Sequence, residues 1–227
     1  MAGLPLPLVL ATGNPDKARE INEIFVTRTD ESLAAWALTI GADTFGFVLD
    51  RPDDLAAHLE SVRGLDVAPD VREIGATLEE NARIKAKAVS DAMGMLAIAD
   101  DTGLEVDALD GAPGIYAARY SGPHATYQDN VAKLLYELEG VYPALRTARF
   151  VTVAMACWPD GREVVTRGEV EGVIAAVPTG EHGFGYDPVF VPIEGDGRTF
   201  AQMTAAEKHA MSHRGRAFVA LVQALSI

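Results

Sequence analysis

The sequence predicts an α/β protein, and three observations support that class. A short apolar run from Leu6 to Ala11 is followed by a glycine turn and a helical pattern at 18–25. An alanine-rich helical pattern from Leu78 to Met93 directly precedes a second apolar run. The segment 149–177 alternates as paired strands do, with Pro159-Asp-Gly161 as a hairpin turn. Such a mixture of elements is typical of a sheet covered by helices.

Length, composition and charge describe an ordinary globular protein. The 227 residues, 48% of them hydrophobic, are enough for one large domain or for two lobes that share a cleft. The net charge of −14 argues against broad contact with the backbone of nucleic acids. No stretch approaches the roughly 20 apolar residues of a membrane span, and no basic and then apolar leader opens the chain. We therefore expect a cytoplasmic protein without nucleic-acid or membrane partners, with Cys157 as a small core residue.

The first strand is predicted to end in an anion site. It breaks at Thr12-Gly-Asn-Pro-Asp-Lys17, where Asn14 can cap a helix whose first residue is Pro15. A helix N-terminus presents amide N–H groups and the positive end of its dipole to a phosphate, and Lys17 adds a full charge. A plain connection from strand to helix is the alternative.

The segment 27–72 carries no recognisable functional pattern. Ser32 to Leu38 and Asp53 to Val62 have helical patterns, and Thr44 to Leu49 is compatible with a strand. We expect an insertion or a lid here.

The second apolar run leads straight into acids. Leu96 to Ala99 predicts a buried strand, and Asp101-Thr-Gly103 is expected to form the turn that ends it. Ligands of open α/β sheets bind beyond the carboxyl ends of strands, which is where Asp100 and Asp101 would stand. Since a pleated strand sends successive side chains to opposite faces, at most one of the two should face a given ligand. A turn with polar caps is the alternative.

The helix before this strand has well-defined ends. Thr77 and Glu80 have the spacing of a capping box, which predicts that the helix begins at Leu78. Asn81 and Lys85 are four residues apart and therefore lie on one face. That face either borders the site beside Asp101 or is simply solvated.

Four further segments follow after Gly103. Leu104 to Leu109 alternates as a strand, and Thr199 to Ala210 is expected to be helical. In Gly183-Phe-Gly-Tyr-Asp-Pro188, the glycines permit close approach and the aromatic rings can stack on a flat base. Ser212 is expected to cap the last helix, which places two cationic residues, His213 and Arg214, at its N-terminus.

Together these features indicate a site for a nucleotide with magnesium. The chain has five lysines, and Lys17, Lys85 and Lys208 fall in the glycine- or acid-marked segments. Carboxylates such as Asp101 suit Mg²⁺, which bridges protein acids and phosphates. The P-loop and dinucleotide fingerprints are both absent from the sequence. Residue patterns alone lead to a nucleotide or phosphate-ester site and no further.

Six motifs, in order, resemble those of the inosine triphosphate pyrophosphatase family. They are Ala11-Thr-Gly-Asn-x-x-Lys17, Thr77-x-Glu-Glu-Asn-Ala-x-x-Lys85-Ala, Ala97-Ile-Ala-Asp-Asp-Thr-Gly-Leu104, Gly111-Ala-Pro-Gly-Ile-Tyr-x-Ala-Arg-Tyr-Ser-Gly122, Phe184-Gly-Tyr-Asp-Pro188 and Ser212-His-Arg-Gly215. The resemblance implies an elongated, two-lobed α/β fold around a central mixed sheet, with the active site in the cleft between the lobes. It also implies a single domain over residues 1–227, a homodimer, and Mg²⁺-dependent hydrolysis of ITP, dITP and XTP to the monophosphate and pyrophosphate.

The resemblance also assigns roles by position. Asp101 would be the general base and a metal ligand, and Lys85, the second catalytic residue, would support the phosphates and the attacking water together with Asn81. Further substrate contacts would come from a larger set: Thr12, Gly13, Asn14, Pro15, Asp16 and Lys17 at the phosphates, Thr102 beside the general base, and Phe184, Gly185, Tyr186, Asp187, Lys208, His213 and Arg214 at the base and phosphates.

The chain departs from the family pattern in two places. Where the family often has paired acids, this chain has Arg72-Glu73, which leaves Glu73 as the candidate second metal ligand. The segment 27–72 is longer than usual, and its role as a lid, in the dimer or as a neutral insertion stays open. The functional alternatives are a pyrophosphatase for other modified nucleotides and a nucleotide-binding protein without turnover.

Overall fold

The protein contains one mixed β-sheet together with α-helices. The computed structural model describes residues 8–29, 34–39, 45–50, 71 and 74–225. Within these residues the strands are β1 (Leu8–Ala11), β2 (Ala34–Thr39), β3 (Phe45–Asp50), β4 (Leu96–Val106), β5 (Pro113–Gly114), β6 (Thr147–Cys157), β7 (Glu163–Ile174) and β8 (Phe190–Pro192). The α-helices in the same residues are α1 (Pro15–Thr29), α2 (Leu78–Met93), α3 (Tyr127–Glu137), α4 (Ala205–Met211) and α5 (His213–Leu225). The predicted α/β class is confirmed.

The sheet contains both parallel and antiparallel pairs. Its order is β2-β3-β1-β4-β6-β7-β8, with β5 paired to β4. β1 runs parallel to β4, and their register joins residues 8–10 to residues 96–98. β1 is antiparallel to β3, and β7 is antiparallel to β8. Because β1 pairs only with the first residues of β4, the later residues of β4 extend past the end of that parallel pair.

The chain divides into two compact units. Unit 1 comprises Met1–Asp101, Val153–Arg167 and Ala217–Ile227, and unit 2 comprises Thr102–Thr152 and Gly168–Arg216. β4, β6 and β7 each contribute residues to both units. The single domain over the whole chain stays a prediction.

Each unit has its own apolar core. In unit 1, β1 and the start of β4 pack with α1 and α5, where the rings of Phe25 and Phe218 meet edge-on at 5.9 Å between centroids. In unit 2, Phe150, Phe190 and Phe200 form a buried group whose centroids lie 4.7 to 6.3 Å apart. These cores hold the elements that carry the candidate site residues.

Helix α2 has the bounds that the sequence predicts. The Thr77 hydroxyl accepts the Glu80 amide N–H at 3.1 Å, and the Glu80 carboxylate accepts the Ala76 N–H at 2.6 Å. The helix ends at Gly94, which has φ 65° and donates its N–H to the Ser90 carbonyl at 2.9 Å. Local hydrogen bonds therefore fix both ends.

The prediction of a helix at Ser32 to Leu38 was wrong, because Ala34–Thr39 is strand β2. It pairs along its whole length with β3, which corresponds to the strand that the sequence indicated at Thr44 to Leu49. The alanines and leucine favour a helix locally, but ladder hydrogen bonds to a neighbouring strand outweigh this small preference. The predicted helix from Asp53 to Val62 lies outside the described residues.

The turn predicted at Asp101-Thr-Gly103 was also wrong. β4 continues without a break to Val106, and only Asp107–Leu109 leaves the strand, as a short 3₁₀ helix. Pairing with β5 at Leu104 and Glu105 supports the continuation. The predicted helix 199–210 is likewise two elements, a 3₁₀ turn at Phe200–Gln202 and helix α4.

The described helices are too short or too polar to cross a membrane.

The burial of Cys157 gives a direct chemical test of the unit 1 core. Removal from water raises the pKa of its thiol to about 11, from an ordinary value of 9.0. At pH 8 the folded protein should therefore hold about a hundredfold less thiolate than an exposed cysteine. We expect a chromogenic disulfide reagent to leave Cys157 unmodified in the folded protein and to react with one thiol per chain in guanidinium chloride. Rapid stoichiometric reaction of the folded protein would contradict this placement.

Candidate active site

The predicted anion segment forms a capped helix start in unit 1. The Asn14 side-chain oxygen accepts the amide N–H groups of Asp16 at 2.9 Å and Lys17 at 3.3 Å, so α1 begins at Pro15 as expected. The Thr12 hydroxyl accepts the Asn14 N–H at 3.2 Å, while Gly13 is exposed. Because Asn14 engages two of the first amides, the ammonium group of Lys17 and the helix dipole are the main attraction for a phosphate here.

Lys17 is tied to the acidic strand. Its Nζ lies 3.2 Å from Oδ2 of Asp100, whose side chain is fully buried. The salt bridge holds the lysine stem in one direction, and its side chain is only 17% exposed. Asp100 was not among the predicted site residues, but it positions Lys17, which was.

Asp101 faces the other helix. Lys85 donates from Nζ to Oδ1 of Asp101 at 3.1 Å, and Asn81 donates from Nδ2 to Oδ2 at 3.2 Å. The predicted group of Asp101, Lys85 and Asn81 is thus brought together by α2 and β4. A carboxylate held at both oxygens by a cation and an amide has a fixed plane, as a group that orients a reactant requires.

A glycine outside the predicted set orients Asn81. The Gly75 amide N–H donates to Oδ1 of Asn81 at 2.9 Å, and the Asn81 side chain is fully buried. A Cβ at Gly75 would lie 2.7 Å from that same oxygen, so a larger residue does not fit without movement. With Oδ1 engaged by Gly75, the amide nitrogen of Asn81 faces Asp101.

Asp101 offers carboxylate oxygens of the kind that a magnesium ion binds. Among the described ranges, no group of three or more His, Cys, Asp or Glu side chains could hold a metal. Mg²⁺ commonly takes one or two carboxylates and completes its shell with waters and substrate phosphates. Asp101 fits that requirement. Glu73, the predicted second ligand, lies outside the described residues.

In unit 2, a buried ion pair organises the Gly183–Pro188 loop. Lys208 Nζ, on α4, donates to Oδ2 of Asp187 at 2.7 Å, and the same oxygen accepts the Phe184 N–H at 2.8 Å. The ammonium group also lies 5.0 Å from the centroid of the Phe184 ring. Asp187 therefore fixes the loop and the lysine together, and removing one partner of such a pair costs about 3–5 kcal/mol.

Two other residues of this loop have structural roles. The Tyr186 hydroxyl donates to the Ala117 carbonyl at 2.9 Å, and burial raises the pKa of Tyr186 above its ordinary value, so the donor proton is retained. Gly185 has φ 65°, a conformation that other residues rarely adopt. These contacts fix the backbone that presents Phe184.

The start of α5 supplies the last predicted residues. Ser212 caps the helix as expected by accepting the Gly215 N–H at 3.0 Å. The His213 ring stacks on Phe150 at 4.4 Å between centroids. Arg214 is 2% exposed, donates from Nη2 to the Thr102 hydroxyl at 3.0 Å, and places its guanidinium carbon 5.5 Å from the Phe184 ring centroid.

The structure thus gathers the predicted residues into two sets. The unit 1 set contains the 12–17 loop, Asn81, Lys85 and Asp101, and the unit 2 set contains Thr102, the 184–187 loop, Lys208, His213 and Arg214. Two residues that contact the predicted set were not predicted from the sequence. Gly75 contacts Asn81, and the Thr152 hydroxyl lies 2.7 Å from the Thr102 hydroxyl. The available signals were a glycine before the helix cap and a hydroxyl inside the apolar run of β6.

Comparison with known proteins identifies relatives over most of the chain. The model of the Ham1 family matches residues 8–224. A dITP/XTP pyrophosphatase of Nitratidesulfovibrio vulgaris is 50% identical over 187 residues, which cover 78% of this chain and 90% of the relative. One of Streptomyces avermitilis is 43% identical over 218 residues, covering 95% and 94%. The structure of a HAM1 protein from Coxiella burnetii is similar with a TM-score of 0.65 and 36% identity, over 78% of this chain and 94% of that one.

The start of α5 has no room for a side chain at position 215, which is occupied by glycine. A Cβ there would lie 2.0 Å from the carbonyl oxygen of His209. We expect Gly215→Ala to lower the free energy of unfolding by about 1–3 kcal/mol, because the clash forces the turn apart. Urea denaturation measures the change. Gly195→Ala is the control, since its Cβ would approach no atom closer than 3.1 Å. Equal stability of the two variants would contradict the geometry.

Proposed function

The chain belongs to the Ham1 family, and from this premise we propose that it hydrolyses non-standard purine nucleoside triphosphates to the monophosphate and pyrophosphate. ITP, dITP and XTP are the proposed substrates. The observation that carries the proposal is the buried Asp101 carboxylate, held by Lys85 at 3.1 Å and Asn81 at 3.2 Å. A protein that only binds nucleotides has little need of such a fixed acid.

The unit 1 residues are suited to attack at the α-phosphorus. The Asp101 carboxylate orients a water molecule and accepts its proton while the water oxygen bonds to phosphorus. The bond from the α-phosphorus to the oxygen that bridges to the β-phosphorus breaks, and its electron pair leaves with pyrophosphate. Lys85 and Lys17 carry the positive charge that stabilises the phosphate oxygens as negative charge develops.

The proposal includes Mg²⁺ bound with the triphosphate. Asp101 would hold it, with Glu73 as the second candidate ligand. When bound, the ion would neutralise phosphate charge and polarise the attacking water. Because Lys85 also contacts Asp101, the carboxylate has a fixed direction and orients the water molecule before it accepts the proton.

The unit 2 residues are suited to the purine base. Phe184 offers an aromatic face, and Lys208 and Arg214 are donors that lie next to its ring. A 6-oxo purine accepts hydrogen bonds at O6, whereas the 6-amino group of adenine donates and would leave buried donors unpaired. The proposal therefore assigns the base to the 184–187 loop, Lys208, His213 and Arg214.

The assembly and location are part of the same proposal. A homodimer follows from the family resemblance, and a cytoplasmic location from the sequence, and both stay predictions.

Product analysis tests the proposed reaction. We expect IMP and pyrophosphate from ITP in Mg²⁺, much faster than GMP from GTP, and no turnover in EDTA, because the metal carries part of the phosphate charge. Ion-exchange chromatography of the nucleotides and a pyrophosphate assay without phosphatase measure both products. Inorganic phosphate as the direct product, or equal turnover of GTP, would overturn the proposal.

Asp101→Asn tests the assigned acid. The amide keeps the shape of the side chain but cannot accept the proton of water, so we expect kcat for ITP to fall by about 10²- to 10⁴-fold. The control is Asp160→Asn, which removes an acid of the exposed hairpin turn. Stopped assays of pyrophosphate measure both variants. A kcat for Asp101→Asn close to that of the control would exclude this residue as the base.

A further inference from the structure

We propose that Thr152 is a positioning residue that makes Thr102 a hydrogen-bond donor to substrate and holds Arg214 through it. The inference rests on the proposed function and on the expected contact of Thr102 with substrate. It concerns a residue outside the predicted site, in the middle of β6.

Thr152 places a hydroxyl group within the buried part of strand β6. It is fully buried, and the β6 residues from Phe150 to Cys157 are all buried. A buried hydroxyl without a partner costs free energy, so its contacts indicate its role. The Thr152 oxygen lies 2.7 Å from the Thr102 oxygen, a normal distance for a hydrogen bond between hydroxyl groups.

Thr102 is the link between Thr152 and the buried guanidinium. Arg214 donates from Nη2 to the Thr102 oxygen at 3.0 Å. A guanidinium has donors only, so the direction of this bond is fixed. The three side chains come from β6, β4 and α5 and lie in unit 2.

Counting donors and lone pairs leaves two arrangements of the bond between Thr102 and Thr152. A threonine hydroxyl has one hydrogen and two lone pairs, and Arg214 occupies one lone pair of Thr102. If Thr102 donates to Thr152, its hydrogen is used. If Thr152 donates instead, it occupies the second lone pair and the Thr102 hydrogen is directed to another acceptor.

Substrate chemistry requires the second arrangement. Phosphate oxygens and the carbonyl oxygens of a 6-oxo purine accept hydrogen bonds and do not donate. Thr102 can therefore contact such an oxygen only as a donor, and that requires Thr152 to donate to Thr102. In the same state Arg214 keeps its bond to Thr102, so one buried hydroxyl positions both substrate-facing groups.

The test compares Thr152→Val with two controls. Valine keeps the branched shape and strand preference of threonine and replaces the hydroxyl with a methyl group. Thr152→Ser restores the hydroxyl without the methyl group. Thr166→Val removes a threonine hydroxyl that donates to the Ala217 carbonyl at 2.8 Å in unit 1.

The measurements are kcat and KM for ITP in Mg²⁺, with a thermal melt of each variant. We expect Thr152→Val to raise KM about 10-fold, because the loss of one hydrogen bond to a charged substrate has about this effect. The kcat of the variant should stay within about threefold of the parent value. Thr152→Ser should restore KM, and Thr166→Val should leave it unchanged. A KM for Thr152→Val equal to that of the parent, or an equal rise for Thr152→Ser, overturns the proposal.

A second comparison keeps the test valid if Thr152→Val lowers stability. In a Thr102→Val background, adding Thr152→Val should change KM by less than about twofold, because Thr152 acts through Thr102. Independent, multiplicative effects would overturn the proposal. If the parent releases no pyrophosphate, the proposed function fails. The rise in melting temperature with added ITP then measures binding, and an equal rise for the parent and Thr152→Val overturns the role of Thr152.

Discussion

The pleat of β4 is the constraint on which the candidate site residues of unit 1 depend. Asp100 and Asp101 are consecutive, so their side chains leave opposite faces of the strand. One carboxylate meets Lys17 from α1 and the other meets Lys85 from α2. A single strand thereby fixes two lysines that arrive from different helices. That at most one of the two acids faces a given ligand stays a prediction, and the structure adds that the two carboxylates hold different lysines.

Buried cations organise the other half of the candidate site. Lys208 is held by Asp187, and Arg214 is held by Thr102 and lies beside the Phe184 ring. Taking such charges out of water is costly, so their hydrogen bonds limit them to few positions. Under the proposed function, such a fixed set of donors would favour an acceptor over a donor on the purine edge.

Elements whose ends depend on neighbouring residues were predicted well. α2 follows from Thr77, Glu80 and Gly94, which satisfy the helix ends within a few residues along the chain. The start of α5 at Ser212 was predicted for the same reason. The main errors concern strands: β2 was taken for a helix, and β4 was expected to end before a turn at 101–103 but continues to Val106. Strand extent depends on the ladder partner, which local pattern does not contain.

The sequence by itself determined the α/β class, the family and the principal polar residues, because each of these is recognised from residue types that lie close together along the chain. Asn81 and Lys85 share a helix face wherever the helix lies, and the acids of β4 follow an apolar run in any fold. Only the tertiary structure decided that Asp100 holds Lys17, that Gly75 orients Asn81 and that Thr152 contacts Thr102. The last of these contacts joins residues 50 positions apart, and Arg214 reaches Thr102 across 112. Hydrogen bonds between residues so far apart in the chain depend on how the sheet and helices pack, so they cannot be predicted from a local sequence pattern.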